Sequence, residues 1–230
     1  MAKRKNKKDS LGDDFLVEAE EVLEASGLSS ERNQKILFAV LAVLILLVGG
    51  YFLYQNLVVK PKQKNAVAQM YKAEEQFERD SFRLALTEPG QGYLGFLDII
   101  DQYGGTKAGN LANYYAGISY LNLGQFEAAI DYLKSYKADG EITLSMKYNA
   151  MGDAYSELND MDNAKKYYEK ALASAKNEVV AAYSLKKLGM FYEYQGDKAK
   201  AKELYERIKN EYPKTLFATD IDKYIMRVQS

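Results

Sequence analysis

Three short stretches of this chain hold side chains whose types and spacing could do chemistry. "GGTKAG" (104–109) offers the glycines and the lysine of a loop that wraps a phosphate in backbone N–H groups. It lacks that loop's spacing and its closing Lys-Ser/Thr pair, and so fits a turn instead. Asp160 with Asp162, and Asp220 with Asp222, alternate as calcium ligands do. Neither pair has the ligand frame or the closing Glu that would gather oxygens around the ion. Carboxylates at turns and helix starts are the plainer reading. The chain contains no cysteine and no histidine, which removes thiol and imidazole nucleophiles and most transition-metal sites. No Ser–Lys or paired-carboxylate arrangement stands out from a charged helical surface. An enzyme would need a site of Asp, Glu, Lys, Ser and Tyr, and the expectation is a binding module. No catalytic, cofactor-binding or metal-binding residue is assigned, and no small-molecule substrate is implied.

The 230 residues are enough for one domain with appendages. Lysine and arginine number 31 against 32 aspartates and glutamates, a net charge of −1. With no basic stripe interleaved with aromatics, nucleic acid is not an expected partner. The absence of cysteine leaves the compartment open.

The elements that must position any site begin with "ILFAVLAVLILLVGGYFLY" (36–54), which has no charge. At helical rise this run covers roughly the hydrocarbon thickness of a bilayer. Tyr51, Phe52 and Tyr54, then Lys60 and Lys62, form an interfacial belt. A buried core helix is the bland alternative, but such helices rarely stay apolar on every face for so long. No small-residue cleavage site follows, so a signal peptide fits poorly. The expected span is 36–59. Charge leaves both orientations open: the tip "MAKRKNKK" favours an inside amino terminus, whereas Lys60, Lys62, Lys64, Lys72 and Arg79 outnumber Arg32 and Lys35 beside the span. The tail, 1–35, carries Phe15, Leu16, Ala19, Val22, Leu23 and Ala25 at helical spacing. That pattern predicts a short acidic amphipathic helix, which either docks on a partner or serves as a plain tether.

Beyond the span the chain repeats itself. "YLNLGQFEAAIDYL" (120–133), "YSELNDMDNAKKYY" (155–168) and "YEYQGDKAKAKELY" (192–205) share Tyr first, Ala tenth and Leu or Tyr last. This periodicity resembles the tetratricopeptide repeat, a stack of helix pairs. The resemblance implies an all-α, right-handed solenoid with three repeats over 110–215, a divergent helical pair over 60–109 and a capping helix at 216–230. Gly117, Gly152 and Gly189 stand where one helix crosses its partner, and Ala129, Ala164 and Ala201 serve the second helix in the same way. Pro213 ends the third repeat. Tyr120, Tyr155 and Tyr192 are expected to fill the space between neighbouring repeats. Gly124, Asn159 and Gly196 suit the left-handed turn between helices. "IIDQYGGT" (99–106) aligns with "RIKNEYPKT" (208–215), which places Gly92 and Phe96 on a second helix whose partner runs from about Asn65 to Leu86.

In that family the first helix of each repeat lines a concave groove. Carried onto this chain, the protein-binding positions are Leu111, Tyr114, Ile118 and Leu121, then Met146, Asn149, Asp153 and Glu157, then Tyr183, Lys186, Met190, Glu193 and Tyr194. This mixture of aromatic, apolar and acidic groups suits an extended or helical peptide; equally, several positions are simply semi-exposed helix faces. The basic clamp of cytoplasmic chaperone-tail receptors is missing, because its places hold Tyr114, Ile118 and Asn149.

The order of parts, with "FERDSFRLAL" and "GYLGFLDIIDQYGGTKAGNLANYYAGISYLNLGQ", resembles the YfgM-like ancillary subunit of the SecYEG translocon, most closely its Bacteroidetes forms. The resemblance implies a bacterial inner-membrane protein with a cytoplasmic N-terminus and periplasmic repeats. Its implied partners are the SecYEG translocon and a membrane-anchored periplasmic prolyl isomerase, with exported chains passed to chaperones. A second reading is an adaptor for another envelope machine, in cell division or outer-membrane assembly, whose repeat proteins share the "YP-T" ending.

Overall fold

The computed structural model describes residues 31–229. The amphipathic helix expected around Phe15–Ala25 lies outside the described residues. The chain divides into two units, Met1–Lys60 and Pro61–Ser230.

In the first unit, α1 (Glu31–Tyr54) leads into a π-helical turn, Gln55–Val59. The apolar run is exposed throughout, from Leu37 at 39% to Leu46 at 73%. Among the described residues this is the one helix long and apolar enough to cross a membrane, and none of that stretch is buried inside the protein. A core helix would be covered by its own fold, so that alternative fails. At the far end the polar side chains fold back on the helix. Gln55 Nε2 donates to the Tyr51 hydroxyl at 3.1 Å, and Lys60 Nζ to Asn56 Oδ1 at 2.6 Å.

The second unit is all-helical among the described residues. It takes up all but the first residue of α2 (Lys60–Glu78), then α3 (Phe82–Leu86), α4 (Phe96–Tyr103), α5 (Lys107–Asn122), α6 (Phe126–Ser135), α7 (Glu141–Glu157), α8 (Met161–Ser174), α9 (Glu178–Tyr194), α10 (Lys198–Glu211) and α11 (Ile221–Gln229). The pairs α5–α6, α7–α8 and α9–α10 are the three repeats. Each closes on its glycine. A Cβ on Gly117 would stand 2.7 Å from Leu133 Cγ, one on Gly152 2.6 Å from Tyr168 Cε1, and one on Gly189 2.5 Å from Tyr205 Cε1. The contacted residue lies at the same offset each time, and Ala129, Ala164 and Ala201 are fully buried beside it. Small residues are needed there because the helix axes approach too closely for any side chain. Left-handed φ values of 72°, 57° and 77° at Gly124, Asn159 and Gly196 turn the chain between the paired helices.

The apolar core runs along the stack in three segments. Tyr120 packs against the first and second of these, Tyr155 against the second and third. The aligned "YGGT" and "YPKT" ends share one geometry. Thr106 Oγ1 donates to the Tyr103 carbonyl at 2.7 Å, and Thr215 Oγ1 to the Tyr212 carbonyl at 2.9 Å. Thr106 also caps α5, accepting from the Gly109 N–H at 3.0 Å; "GGTKAG" is a helix start.

The N-terminal pair departs from expectation. Rather than one helix to Leu86, the chain breaks after Glu78 at Asp80, whose φ is 56°. Gly92 is not on a helix. It sits at φ 75° in the loop with Gly90 and Gln91, also at positive φ, where Pro89 and two glycines cannot sustain helical bonding. The small residue at the close approach is Gly95, whose Cβ would fall on the Leu86 carbonyl. Phe96 opens α4 fully buried, stacked 5.0 Å from Tyr115.

Candidate protein-binding groove

The groove positions fall on α5, α7 and α9, whose helical period brings every third or fourth residue to one face. Where the structure places them differs from residue to residue. Leu111 is half-buried against the first core segment; Tyr114, Ile118 and Leu121 are half-buried against the second. Met146 is half-buried. Asn149 is a correction: at 1% exposure it lies within the packing of α7 on α9. Its Nδ2 donates to Ser184 Oγ at 2.9 Å and to the Ser145 carbonyl at 3.1 Å. Ser145 in turn hydrogen-bonds Ser184 at 3.1 Å and the Ala171 carbonyl at 2.8 Å. Small polar residues let the first helices of successive repeats pack closely, and an amide buried there must spend its donors on that packing.

Asp153 organises the middle of the face. Lys187 Nζ contacts both its oxygens at 2.8 Å, and the Tyr168 hydroxyl donates to Oδ1 at 2.6 Å. Burial alone would lower the Lys187 ammonium, yet the Asp153 charge and the nearby Tyr183 hydroxyl outweigh it and raise its pKa. Burial and then the Asp153 charge push the Tyr168 hydroxyl well up. Burial, with Lys187 opposing and Asp153 adding, also raises Tyr183. Tyr114 is pushed up to about 12, by burial first and then by Tyr183, Tyr136 and Tyr115. Sequence reasoning missed Lys187, Tyr168 and Tyr136, because each joins the face through a partner on another helix.

The third repeat's share is largely covered by the C-terminal segment. Phe217, in the 3-10 turn Leu216–Ala218, packs 5.4 Å from Tyr183. Asp220 pairs with Lys186 at 3.1 Å, and Lys186 lies 4.2 Å over the Tyr224 ring. Arg227 of α11 reaches Glu193, Nη2 to Oε2 at 2.7 Å, and the Tyr205 hydroxyl donates to the same carboxylate at 2.9 Å. Tyr183, Lys186 and Glu193 are therefore engaged by the cap, which buries Ile221, Ile225 and Val228 in the last core segment. Asp160 caps α8 through the Asn163 N–H, Asp222 pairs with Lys209, and Asp220 is taken by Lys186.

What stays open is the far end of α7 and α9. Tyr194 is 74% exposed and Met190 43%. With Ser156, Glu157 and Asn159, Tyr194 borders a cleft of 290 Å³. The surface so formed offers a polypeptide ring faces, a thioether and a carboxylate.

These features define a helix-pair solenoid that acts as a scaffold for protein–protein interaction, carried on a chain with one apolar N-terminal helix. Residues 111–139 and 143–209 match the tetratricopeptide repeat family. Over 77 residues the chain is 38% identical to the "Uncharacterized protein ycf37" of Guillardia theta, a stretch covering 34% of this chain and 42% of that protein. The chain thus spans less than half the length of that relative.

Proposed function

We propose that this protein is a non-catalytic, single-pass scaffold beside the SecYEG translocon of a bacterial inner membrane. Its amino terminus is cytoplasmic and its repeats are periplasmic, linking exported chains to a membrane-anchored prolyl isomerase or to chaperones. The observation that carries this reading is the union of a fully exposed apolar helix with a repeat stack whose free residues, Met190, Tyr194 and Glu157, gather at one end. The resemblance of "YGGTKAGNLANYYAG" (103–117) and of the part order to the YfgM-like subunit supports the choice of machine. Anchoring concentrates the binding face near the channel exit, so that modest affinity suffices.

Two experiments test it. Mild-detergent purification of the tagged full-length protein is expected to bring down channel subunits and a periplasmic isomerase in near-equal amounts. Division or outer-membrane assembly components without the channel would transfer the function to that other machine. For topology, the cysteine-free chain takes a single cysteine at the exposed Lys198. Lys198→Cys should react with an impermeant thiol reagent in intact spheroplasts; protection until lysis would put the repeats in the cytoplasm and end this reading.

A further inference from the structure

The chain holds one Asp-Gly pair, Asp139–Gly140, and no Asn-Gly. The pair lies in the short link between α6 and α7, where the first repeat passes into the second. Both ends of that link are held. Asn110 Nδ2 donates to the Lys137 carbonyl at 2.8 Å, and Asn110 Oδ1 accepts from the Lys137 N–H at 2.8 Å. Lys147 Nζ donates to the Tyr136 carbonyl at 2.6 Å. At the other end the Gly140 carbonyl accepts from the Leu144 N–H and from the Thr143 hydroxyl, each at 3.1 Å, and α7 begins. Between these anchors two groups are untied. Among the described residues the Gly140 N–H donates no hydrogen bond, and the Asp139 carboxylate has neither a hydrogen bond nor an ion pair. Aspartates in such links commonly spend their oxygens on a nearby backbone N–H; this one does not. Both residues are exposed, and nothing lies within 4 Å of where a Cβ on Gly140 would stand. With a φ of 105° and no side chain, Gly140 leaves its own nitrogen open to approach.

We propose that Asp139–Gly140 is a site of covalent self-modification, where the chain closes to a succinimide and reopens in part as isoaspartate. The Gly140 nitrogen attacks Cγ of the protonated Asp139 carboxyl. The N–Cγ bond forms, the Cγ–OH bond breaks, and the hydroxyl leaves with the amide proton as water. Solvent water then adds to one of the two ring carbonyls. Opening at Cγ restores aspartate. Opening at the α-carbonyl routes the backbone through Cβ and Cγ and leaves the α-carboxylate as the side group. No oxidant or cofactor is consumed, and the mass is unchanged. The product lengthens the link between the first two repeats by one methylene. Asp80–Ser81 is the contrasting site. It too lies between helices, α2 and α3, but the Ser81 N–H is spent on the Gln76 carbonyl at 2.9 Å. Attack there must first break that bond. The inference holds whichever machine the scaffold serves, because it needs only the chain and water.

The test holds the full-length protein, in detergent micelles, in warm oxygen-18 water, and then digests it with trypsin in ordinary water. Cleavage after Lys137 and Lys147 releases 138–147, and cleavage after Arg79 and Arg83 releases 80–83. Each ring opening leaves one oxygen-18 in the peptide, whichever carbonyl the water attacked. In the folded protein 138–147 should gain label at about the rate seen in urea, and its chromatographic peak should split into aspartyl and isoaspartyl forms. The 80–83 peptide should gain label about fivefold more slowly in the folded protein than in urea, where its N–H is released. Asp139→Glu, which would need a larger ring, should remove the label from 138–147 without disturbing an exposed link. No label in 138–147, label that persists in Asp139→Glu, or a slowing at Asp139 on folding equal to that at Asp80 overturns the assignment.

Discussion

The second and third repeats are built on one plan and end in different states. Both cross their helices at a glycine against a tyrosine ring, Gly152 on Tyr168 and Gly189 on Tyr205. Both tyrosines aim their hydroxyls at a carboxylate, Asp153 at 2.6 Å and Glu193 at 2.9 Å. The carboxylate of the second repeat is then paired with Lys187 of the next repeat, that of the third with Arg227 of the cap. On the other flank the second repeat closes with Tyr167 on Tyr155, whereas the third has Leu204 and a cleft. The inner repeat is sealed by its neighbours; the last one is sealed by a short helix on one side and left open on the other. Stacked repeats stabilise one another through nearest-neighbour contacts, and a terminal unit lacks one of them.

The comparison is broken most completely at the crossing. Gly152→Val and Gly189→Val should each destabilise by about 3 kcal/mol, because the new side chain must push a packed ring aside. Similar losses in thermal or denaturant unfolding would show that the two repeats share this joint. A cost near zero at Gly189 would mean that the last helix pair yields.

The carboxylates should separate the repeats. Asp153→Ala leaves a half-buried lysine and a buried phenol without their acceptor, with an expected loss of about 2 kcal/mol. Glu193→Ala breaks a contact nearer the surface and should cost about 1 kcal/mol or less. Equal losses would remove the distinction between an inner and a capped repeat.

A pair of exchanges tests the flank. Tyr167→Leu gives the second repeat the third's composition and should lower stability by about 1 kcal/mol; Leu204→Tyr makes the reverse change and should raise it by a similar amount. Opposite shifts in melting temperature are the expected result, and two losses would show that the third repeat cannot accommodate the stack.

The smallest effects are those of pH. The Arg227 hydrogen bond, followed by that of Tyr205, lowers the pKa of Glu193 against the opposing effect of burial. A depressed carboxyl contributes stability that is complete above its ordinary value and lost as pH falls through the depressed one. Docking of α11 should therefore hold at neutral pH and loosen only in acid, seen as amide exchange in 221–229. Tyr114 works in the other direction. Its hydroxyl, raised to about 12 from the ordinary 10.0, stabilises the fold fully below the ordinary value and progressively less as pH climbs toward 12. Ultraviolet titration should show a late-ionising set of tyrosines that Tyr114→Phe reduces by one.

The repeats were legible because their signals are local. Glycine and alanine at fixed offsets, an αL residue between helices and the Tyr–Thr ends are dictated by backbone crossing and by turns within a few residues, and each is where the pattern puts it. The N-terminal pair was less legible. Its close approach is made by Gly95 against the Leu86 carbonyl, and the Pro-Gly loop shifts the register that alignment had assigned to Gly92. The groove was legible only as a set of helix faces. A face becomes a site or a seam according to what lands on it from elsewhere in the chain.

The sequence by itself determined an apolar helix that no globular core could need and a series of helix pairs whose crossings demand small residues, since periodicity and side-chain volume act along the chain. Tertiary structure alone decided that Asn149 spends its amide on Ser145 and Ser184, that Lys187 joins Asp153, and that 217–227 occupies Tyr183, Lys186 and Glu193. Those pairs stand on different helices brought together by the stacking of repeats, and no local period encodes which distant residue will arrive.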